Sequence, residues 1–112
     1  MGKSQRTKGH NWEREVARMM REATPGCKAK RGFQTRGGAT EEPDVVHPLY
    51  NIECKVGAKP PVRKALVTAV DTCPPGKWAA AVIKEDRKPP YVGMPMDHWL
   101  DLVGEHWERS ER

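Results

Sequence analysis

The chain has 112 residues and carries 20 Lys and Arg against 15 Asp and Glu, which gives a net charge of +5 at pH 7. A chain of this length builds one hydrophobic core, which excludes two folded domains, and its basic surplus favours a polyanionic partner such as nucleic acid. No apolar run approaches the ~18 residues of a membrane span, and the basic N-terminus lacks the apolar stretch of a secretory signal. We therefore expect a cytoplasmic protein with a flexible basic arm at 1–9 and a single domain at 10–112.

Hydrophobic spacing and turn residues divide the domain into eight elements. Apolar residues at helical spacing predict a first helix that ends before Pro25 and Gly26, and the uninterrupted apolar run WAAAVI predicts a buried central strand. The predicted elements are a helix at 10–23, strands at 32–36, 44–46 and 50–55, a helix beginning at Pro60–Pro61, strands at 78–83 and 91–94, and a last helix capped by Asp97. This order, αβββαββα, predicts an α/β fold with a mixed central sheet flanked by helices.

The sequence IECK at 52–55 is the central chemical signal. Because side chains alternate along a strand, Glu53 and Lys55 face the same side of the sheet, and the apolar residues between them face the other. Asp44 lies on the neighbouring predicted strand, which a short turn joins to this one. Two carboxylates and one ammonium can therefore meet at one edge of the sheet.

Such a group suits the hydrolysis of a phosphodiester. Mg²⁺ binds oxygen ligands in octahedral geometry and keeps several waters, so Asp44, Glu53 and the main-chain carbonyl of Cys54 are the expected ligands. Lys55 would orient or deprotonate the attacking water, or stabilise charge in the transition state. The alternative explanation is an ordinary solvated strand face that carries a Glu53–Lys55 ion pair.

Glu13 strengthens the chemical interpretation. On a helical wheel it is the only charged residue inside the apolar arc of the first helix. A carboxylate that faces the protein interior is unfavourable unless it is paired or bound to a metal, so we expect Glu13 to be a further carboxylate of the metal site. A shifted helix register, or a side chain that reaches past its neighbours to solvent, would explain the same position.

A glycine turn and a set of basic residues surround these acids in the sequence. The stretch RGGAT at 36–40 runs into Asp44, and its backbone amides can approach a phosphate that Arg36 grips in a bidentate manner. An ordinary hairpin loop and individually solvated cations are the alternatives. The expected DNA-binding residues are Lys8, Lys30, Arg31, Arg36, Thr40, Lys59, Arg63 and Lys64.

The histidines, cysteines and tryptophans give weaker predictions. Three cysteines without a CxxC pair are expected to stay reduced. Trp78, Trp99 and Trp107 are expected to be core or interface anchors. The histidines lack metal-ligand spacing and are expected at the surface; they are His10, His47, His98 and His106.

Three stretches together resemble the archaeal-type Holliday junction resolvases of the PD-(D/E)xK nuclease superfamily. KGHNWERE (8–15) resembles the start of that family's first helix, and RGFQTRGGATEEPDVV (31–46) resembles its Gly-Phe strand, small-residue turn and Asp. NIECKV (51–56) resembles its Glu-Val-Lys strand, and the similarity continues to residue 84. The resemblance implies a restriction-endonuclease-like core. Similar short resolvases occur in bacteriophages, in which case the protein would act in the host cytoplasm.

The resemblance also implies roles for individual residues. Glu13 corresponds to the family's helix carboxylate. Asp44, Glu53 and Lys55 match its D…ExK centre, and Arg36 matches its phosphate-contacting arginine. Members are homodimers that cut two opposed strands of a four-way DNA junction with Mg²⁺ or Mn²⁺. A homodimer, branched DNA and a divalent cation are therefore the implied partners.

Two departures from the family keep other functions open. The family often has a catalytic Ser three residues before the Asp, where this chain has Glu41 with Thr40 beside it. The tail after residue 90 also differs from the archaeal ending, so the dimer surface is expected to differ. The motif indicates phosphodiester hydrolysis and not the shape of the DNA. A restriction-like or repair nuclease, or a non-catalytic basic DNA-binding module, are the alternatives.

Overall fold

A five-stranded mixed sheet and three helices form the computed structural model of the protein, which describes residues 3–32 and 42–111. In chain order the elements are α1 (Lys3–Ala23), β1 (Lys30–Arg31), β2 (Val45–Val46), β3 (Tyr50–Gly57), α2 (Val62–Asp71), β4 (Trp78–Glu85), β5 (Tyr91–Gly93) and α3 (Met96–Ser110). The strands are ordered β1-β2-β3-β4-β5, with β3 and β4 parallel and the other neighbours antiparallel. The predicted α/β class with a mixed sheet is confirmed.

The first helix begins seven residues earlier than predicted. Residues 3–9, expected to form a flexible arm, are the first turns of α1. No acidic residue stands in its first turn, so the usual charge signal of a helix start is missing. One tertiary contact reaches this part of the helix: Lys8 Nζ lies 2.5 Å from Asp86 Oδ1, next to the end of β4.

Helices α1 and α2 pack against the sheet through separate apolar clusters. Trp12 and Val16 of α1 pack on Ile52 and Cys54 of β3, and the Trp12 indole N–H donates to the Val82 carbonyl over 3.3 Å. The α2 cluster contains Ala65, Ala81 and Ile83. The buried alternation of Ile52 and Cys54 places Glu53 and Lys55 on the other side of β3, as the strand pattern predicts.

The third helix packs only loosely on the rest of the fold, to which His98 Nδ1 is joined by the Ala79 N–H. None of its residues is buried, although α3 is described along its whole length, and it makes only marginal contacts with the other elements. Trp99 and Trp107 are 50% and 66% exposed, so they are not core anchors. Asp97 is the second residue of α3 and not its N-cap, because Pro95 occupies that position without a side-chain cap.

Other details also differ from the predictions. The first strand is at Lys30–Arg31 instead of 32–36, and residues 33–36 lie outside the described part of the chain. His47, expected at the surface, is only 2% exposed, and His98 is half-buried because its Nδ1 accepts the Ala79 N–H over 2.9 Å. The three cysteines are free, as expected.

Of the helices within residues 3–32 and 42–111, none combines the length and apolarity that a bilayer crossing needs.

Candidate active site

The strands β2 and β3 part beside Asp44. Their ladder consists of two antiparallel pairs, Val46 with Asn51 and Val45 with Ile52. The next residues in this register are Asp44 and Glu53, where the pairing ends, while β3 continues to Gly57 along β4. The fork between the two strands therefore presents two carboxyl groups side by side. The structure thus brings the two predicted carboxyl groups together, at a fork between two inner strands and not at an edge strand of the sheet.

Backbone hydrogen bonds fix Asp44 from two sides. Its carboxylate Oδ2 accepts the N–H of Cys54 over 2.8 Å, where a strand partner would otherwise bond, and its main-chain carbonyl accepts the N–H of Gly32 over 2.8 Å. A Cβ at Gly32 would lie 1.8 Å from the carbonyl oxygen of Pro43. Only glycine therefore allows this close approach of the backbone beside Asp44.

Glu53 shares a hydrogen bond with Asp44. Both residues are buried, 8% and 7% exposed. Burial, and then the charge of Asp44 and the hydrogen bond to it, raise the pKa of Glu53 to about 8, against the opposing charge of Lys55. Two carboxyl groups can share a hydrogen bond only when one of them is protonated. The pair accordingly carries one proton at neutral pH.

Glu13 is the third carboxyl group of the cluster. It comes from α1, and Arg31 of β1 donates a hydrogen bond from Nε to its Oε1 over 2.8 Å. Burial and the charge of Asp44 raise the pKa of Glu13, while the Arg31 hydrogen bond and charge oppose that rise. The inward position of Glu13 is thus confirmed, and its partner is Arg31, which the sequence had suggested only as a DNA contact.

The three carboxyl groups open into one polar cleft of about 310 Å³. Its lining contains every residue expected at the catalytic centre, together with four that the sequence did not suggest for the site. The lining residues are Gln5, Gly9, Trp12, Glu13, Asp44, Glu53, Cys54, Lys55 and Val56. Gln5 and Gly9 precede Glu13 at intervals of four residues, a helical spacing that could have revealed them had the helix start been recognised.

The expected DNA-binding residues divide into three groups. Four of them have exposed side chains: Lys30, Lys59, Arg63 and Lys64. Arg31 and Lys8 pair with carboxylates within the protein, Glu13 and Asp86 respectively, and the Lys8 side chain is exposed as well. Arg36 and Thr40 lie outside the described residues.

The donor set of the cleft fits a hard divalent cation. Carboxylate and main-chain oxygens are the ligands that Mg²⁺ and Mn²⁺ prefer, and a cation would offset the repulsion among buried acids. As the side chains stand, however, no three His, Cys, Asp or Glu residues in the described ranges form a metal-binding group. In this arrangement Glu53 is hydrogen-bonded to Asp44, and Glu13 is paired with Arg31.

No protein-family model matches the chain, and no curated protein and no solved structure shows significant similarity to it. The family assignment therefore stays a prediction from the three sequence stretches. The geometry of the cleft is the basis on which a function can be proposed.

Proposed function

We propose that the protein is a metal-dependent DNA endonuclease of the PD-(D/E)xK type that cuts four-way junctions. One observation carries the proposal: Glu13, Asp44, Glu53 and Lys55, far apart in the sequence, line the same cleft at the fork of β2 and β3. Buried acids with raised pKa values in a cleft are a common feature of functional sites. Burial of this kind is unfavourable for folding, which argues for a chemical use.

The residues of the proposed centre have different roles. Asp44 and Glu53, with the main-chain carbonyl of Cys54, would hold Mg²⁺ or Mn²⁺. A cation bound there makes water more acidic and neutralises charge on the scissile phosphate. Lys55 orients the attacking water or stabilises the added charge on the phosphate, and Arg31 holds the carboxyl group of Glu13 in place and favours its charged form.

The preference for DNA rests on charge, and the preference for junctions rests on the family resemblance. The net charge of +5 favours a polyanion. Lys59 follows β3 directly, and Arg63 and Lys64 stand in the first turn of α2, so exposed cations lie just beyond the strand that carries Glu53 and Lys55. Such cations bind phosphates without reading base sequence.

Cleavage of matched substrates tests the proposal. A labelled four-way junction and a linear duplex of the same sequence are incubated with Mg²⁺, Mn²⁺ or EDTA. We expect metal-dependent cutting of the junction, and Asp44→Asn and Glu53→Gln should lower the cleavage rate by at least about 100-fold while leaving junction binding intact. Glu15→Gln is the matched control, because Glu15 pairs with Arg18 at the surface of α1.

The possible outcomes separate the alternatives. Equal cutting of junction and duplex would indicate a restriction-like or repair nuclease and remove the junction preference. Binding without cutting under every metal condition would overturn the nuclease proposal in favour of a DNA-binding module. Cation binding is measured independently of activity by the rise in melting temperature on adding Mn²⁺. We expect this rise in wild type and in Glu15→Gln, and its loss in Glu53→Gln.

A further inference from the structure

The acids of the cleft have a counter-ion within the same chain, the guanidinium of Arg31. Its Nε lies 2.8 Å from Oε1 of Glu13, and the two side chains are only 29% and 15% exposed. A guanidinium is not deprotonated in proteins, so this positive charge is permanent. Glu13 is therefore neutralised by the protein itself, from strand β1.

The backbone fixes Arg31 next to the segment that carries Asp44. Arg31 pairs with Val45 in the β1–β2 ladder, and its neighbour Gly32 donates its N–H to the main-chain carbonyl of Asp44 over 2.8 Å. The guanidinium is thus attached to the same pair of strands that positions the carboxyl group of Asp44. A cation that enters the cleft therefore meets Arg31 already in place.

The three acids differ in what compensates their charge. Asp44 and Glu53 are hydrogen-bonded to each other, so one cation placed at this pair can serve both. Glu13 is close enough to interact with the charge of Asp44, but its own partner is Arg31. A divalent cation that took Glu13 as a ligand would leave the guanidinium largely buried beside a doubly charged ion. A buried charge that has lost its partner is strongly unfavourable.

We propose that Arg31 is the resident cation of the cleft: it keeps Glu13 out of the ligand set, and the cleft takes one divalent cation, at Asp44 and Glu53. This inference rests on the cation site of the proposed function and adds its stoichiometry. Glu13 is then a positioning residue for Arg31, and not the metal-site carboxylate that the sequence predicts.

A single cation changes how charge on the phosphate is balanced. In two-cation sites the ions lie about 3.5–4 Å apart and stabilise both the attacking and the leaving oxygen. With one cation, the remaining positive charge comes from the protein. Lys55 lines the cleft, and Arg31 is bonded to its wall at Glu13. The chain thus supplies fixed charges where a second ion would otherwise bind.

Titration of the full-length chain with Mn²⁺ in the absence of DNA measures the stoichiometry. Isothermal titration calorimetry, with electron paramagnetic resonance of the free Mn²⁺ as a second measurement, counts the ions bound per chain. We expect one ion. Two ions bound with comparable affinity would overturn the inference about Arg31. No bound ion would overturn the cation site itself, and with it the nuclease proposal.

A charge-conserving double variant tests whether Glu13 is a ligand. Glu13→Gln combined with Arg31→Met removes both members of the pair and leaves the net charge unchanged, and such replacements of buried ion pairs are often tolerated. We expect a dissociation constant for Mn²⁺ within about threefold of wild type, against a loss of at least about 10-fold in Glu53→Gln, which removes a ligand. A loss in the double variant as large as that in Glu53→Gln would show that Glu13 binds the cation and would overturn the inference.

Arg31→Met alone distinguishes the inferred role from a purely structural one by the sign of its effect. Glu13 then lacks its counter-ion and is available to a cation, so Mn²⁺ should bind about 10-fold more tightly than in wild type. If Arg31 only supported the fold, its loss would weaken Mn²⁺ binding or leave it unchanged. Circular dichroism verifies that the variant is folded.

Lys30→Met is the matched control for the loss of charge. It removes one positive charge from the neighbouring, exposed residue of β1, where screening by salt should limit the change in Mn²⁺ affinity to about twofold. Binding in Arg31→Met that is no tighter than in Lys30→Met would overturn the role of Arg31. A wild type that binds Mn²⁺ and cuts the junction would still support the nuclease proposal in that case, so the two proposals fail separately.

Discussion

The carboxyl groups of Asp44 and Glu53 are hydrogen-bonded to each other at the fork between β2 and β3. The bond needs a proton, which burial and the neighbouring charge retain at neutral pH. A proton and a divalent cation neutralise the same pair of acids, so they compete for it. The stability of the cation-free protein should therefore depend on pH through the titration of this pair.

The stability of the cation-free protein should fall as the pH rises. The pKa of Glu53 is about 8 in the folded protein and near 4.5 ordinarily, so between these values the folded state binds more protons than the unfolded state. The stabilisation by this proton is complete below the ordinary pKa and is lost as the pH rises through the pKa of the folded protein. Between the two pKa values the free energy of unfolding falls by up to about 1.4 kcal/mol per pH unit.

Urea denaturation in EDTA at a series of pH values measures this slope. Glu53→Gln removes the titrating group and should flatten the dependence, while Glu15→Gln should keep it. Identical slopes in wild type and Glu53→Gln would show that the pair does not hold a proton.

The ion pair between Glu13 and Arg31 should be measurable as a coupling free energy. Both side chains are largely buried, and a hydrogen bond to a charged group contributes about 1.5–3 kcal/mol. Arg31→Met should therefore destabilise the protein by roughly 2 kcal/mol, and by less in a Glu13→Gln background. A double-mutant cycle of unfolding free energies gives the coupling. If Arg31 acted only on DNA, the two changes would be additive, and only the salt dependence of DNA binding would change.

Gly32→Ala should disrupt the site through the backbone. The added Cβ would lie 1.8 Å from the Pro43 carbonyl oxygen, so the strand must move away from Asp44 and lose the N–H bond to its carbonyl. We expect a loss of about 3 kcal/mol in unfolding free energy together with loss of cleavage. Gly104→Ala is the control, because its Cβ meets open space, Gly104 lies in α3 and does not line the cleft, and alanine favours the helix by about 1 kcal/mol. Equal stability of Gly32→Ala and wild type would contradict the close approach.

Gln5 should contribute to substrate contact. It lines the cleft beside the acids, and its amide N–H groups can donate to a phosphate without adding charge. Gln5→Ala should lower kcat/KM for the junction by about 10-fold with no change in melting temperature. Asn11→Ala removes an amide on the exposed side of the same helix, where Asn11 bonds Arg14, and should leave kcat/KM unchanged. A parallel loss in both variants would show that the effect is not specific to the cleft.

The sequence predicted the candidate site better than it predicted the first and last helices. Strand alternation and a short turn were sufficient to bring Asp44 beside Glu53, because both depend on neighbours in the sequence. The helical wheel was sufficient to turn Glu13 inward. The start of α1 was missed because its first turn has no acidic residue to mark it, and the contact that its Lys8 makes, with Asp86, joins residues 78 positions apart. No local pattern encodes such a contact.

The last helix shows a different limit of the sequence. Its apolar spacing correctly indicates an amphipathic helix, but spacing alone does not say whether the apolar face is covered by the same chain. Trp99 and Trp107 were expected in the core or at an interface, and the fold leaves them exposed. In the structure α3 follows the edge strand β5, and none of its residues is buried.

The burial of His47 has a consequence for the register of the β2–β3 hairpin. Its Nδ1 accepts the N–H of Leu49 over 3.0 Å, so Nε2 carries the proton and faces the Thr24 hydroxyl at 3.3 Å, next to the C-terminal end of α1. A slip of one residue between β2 and β3 would turn Glu53 to the opposite side of the sheet. The contacts of His47 at this turn therefore support the register that places Glu53 beside Asp44. A substitution at this turn that shifts the register would therefore change the position of Glu53 relative to Asp44 in the cleft.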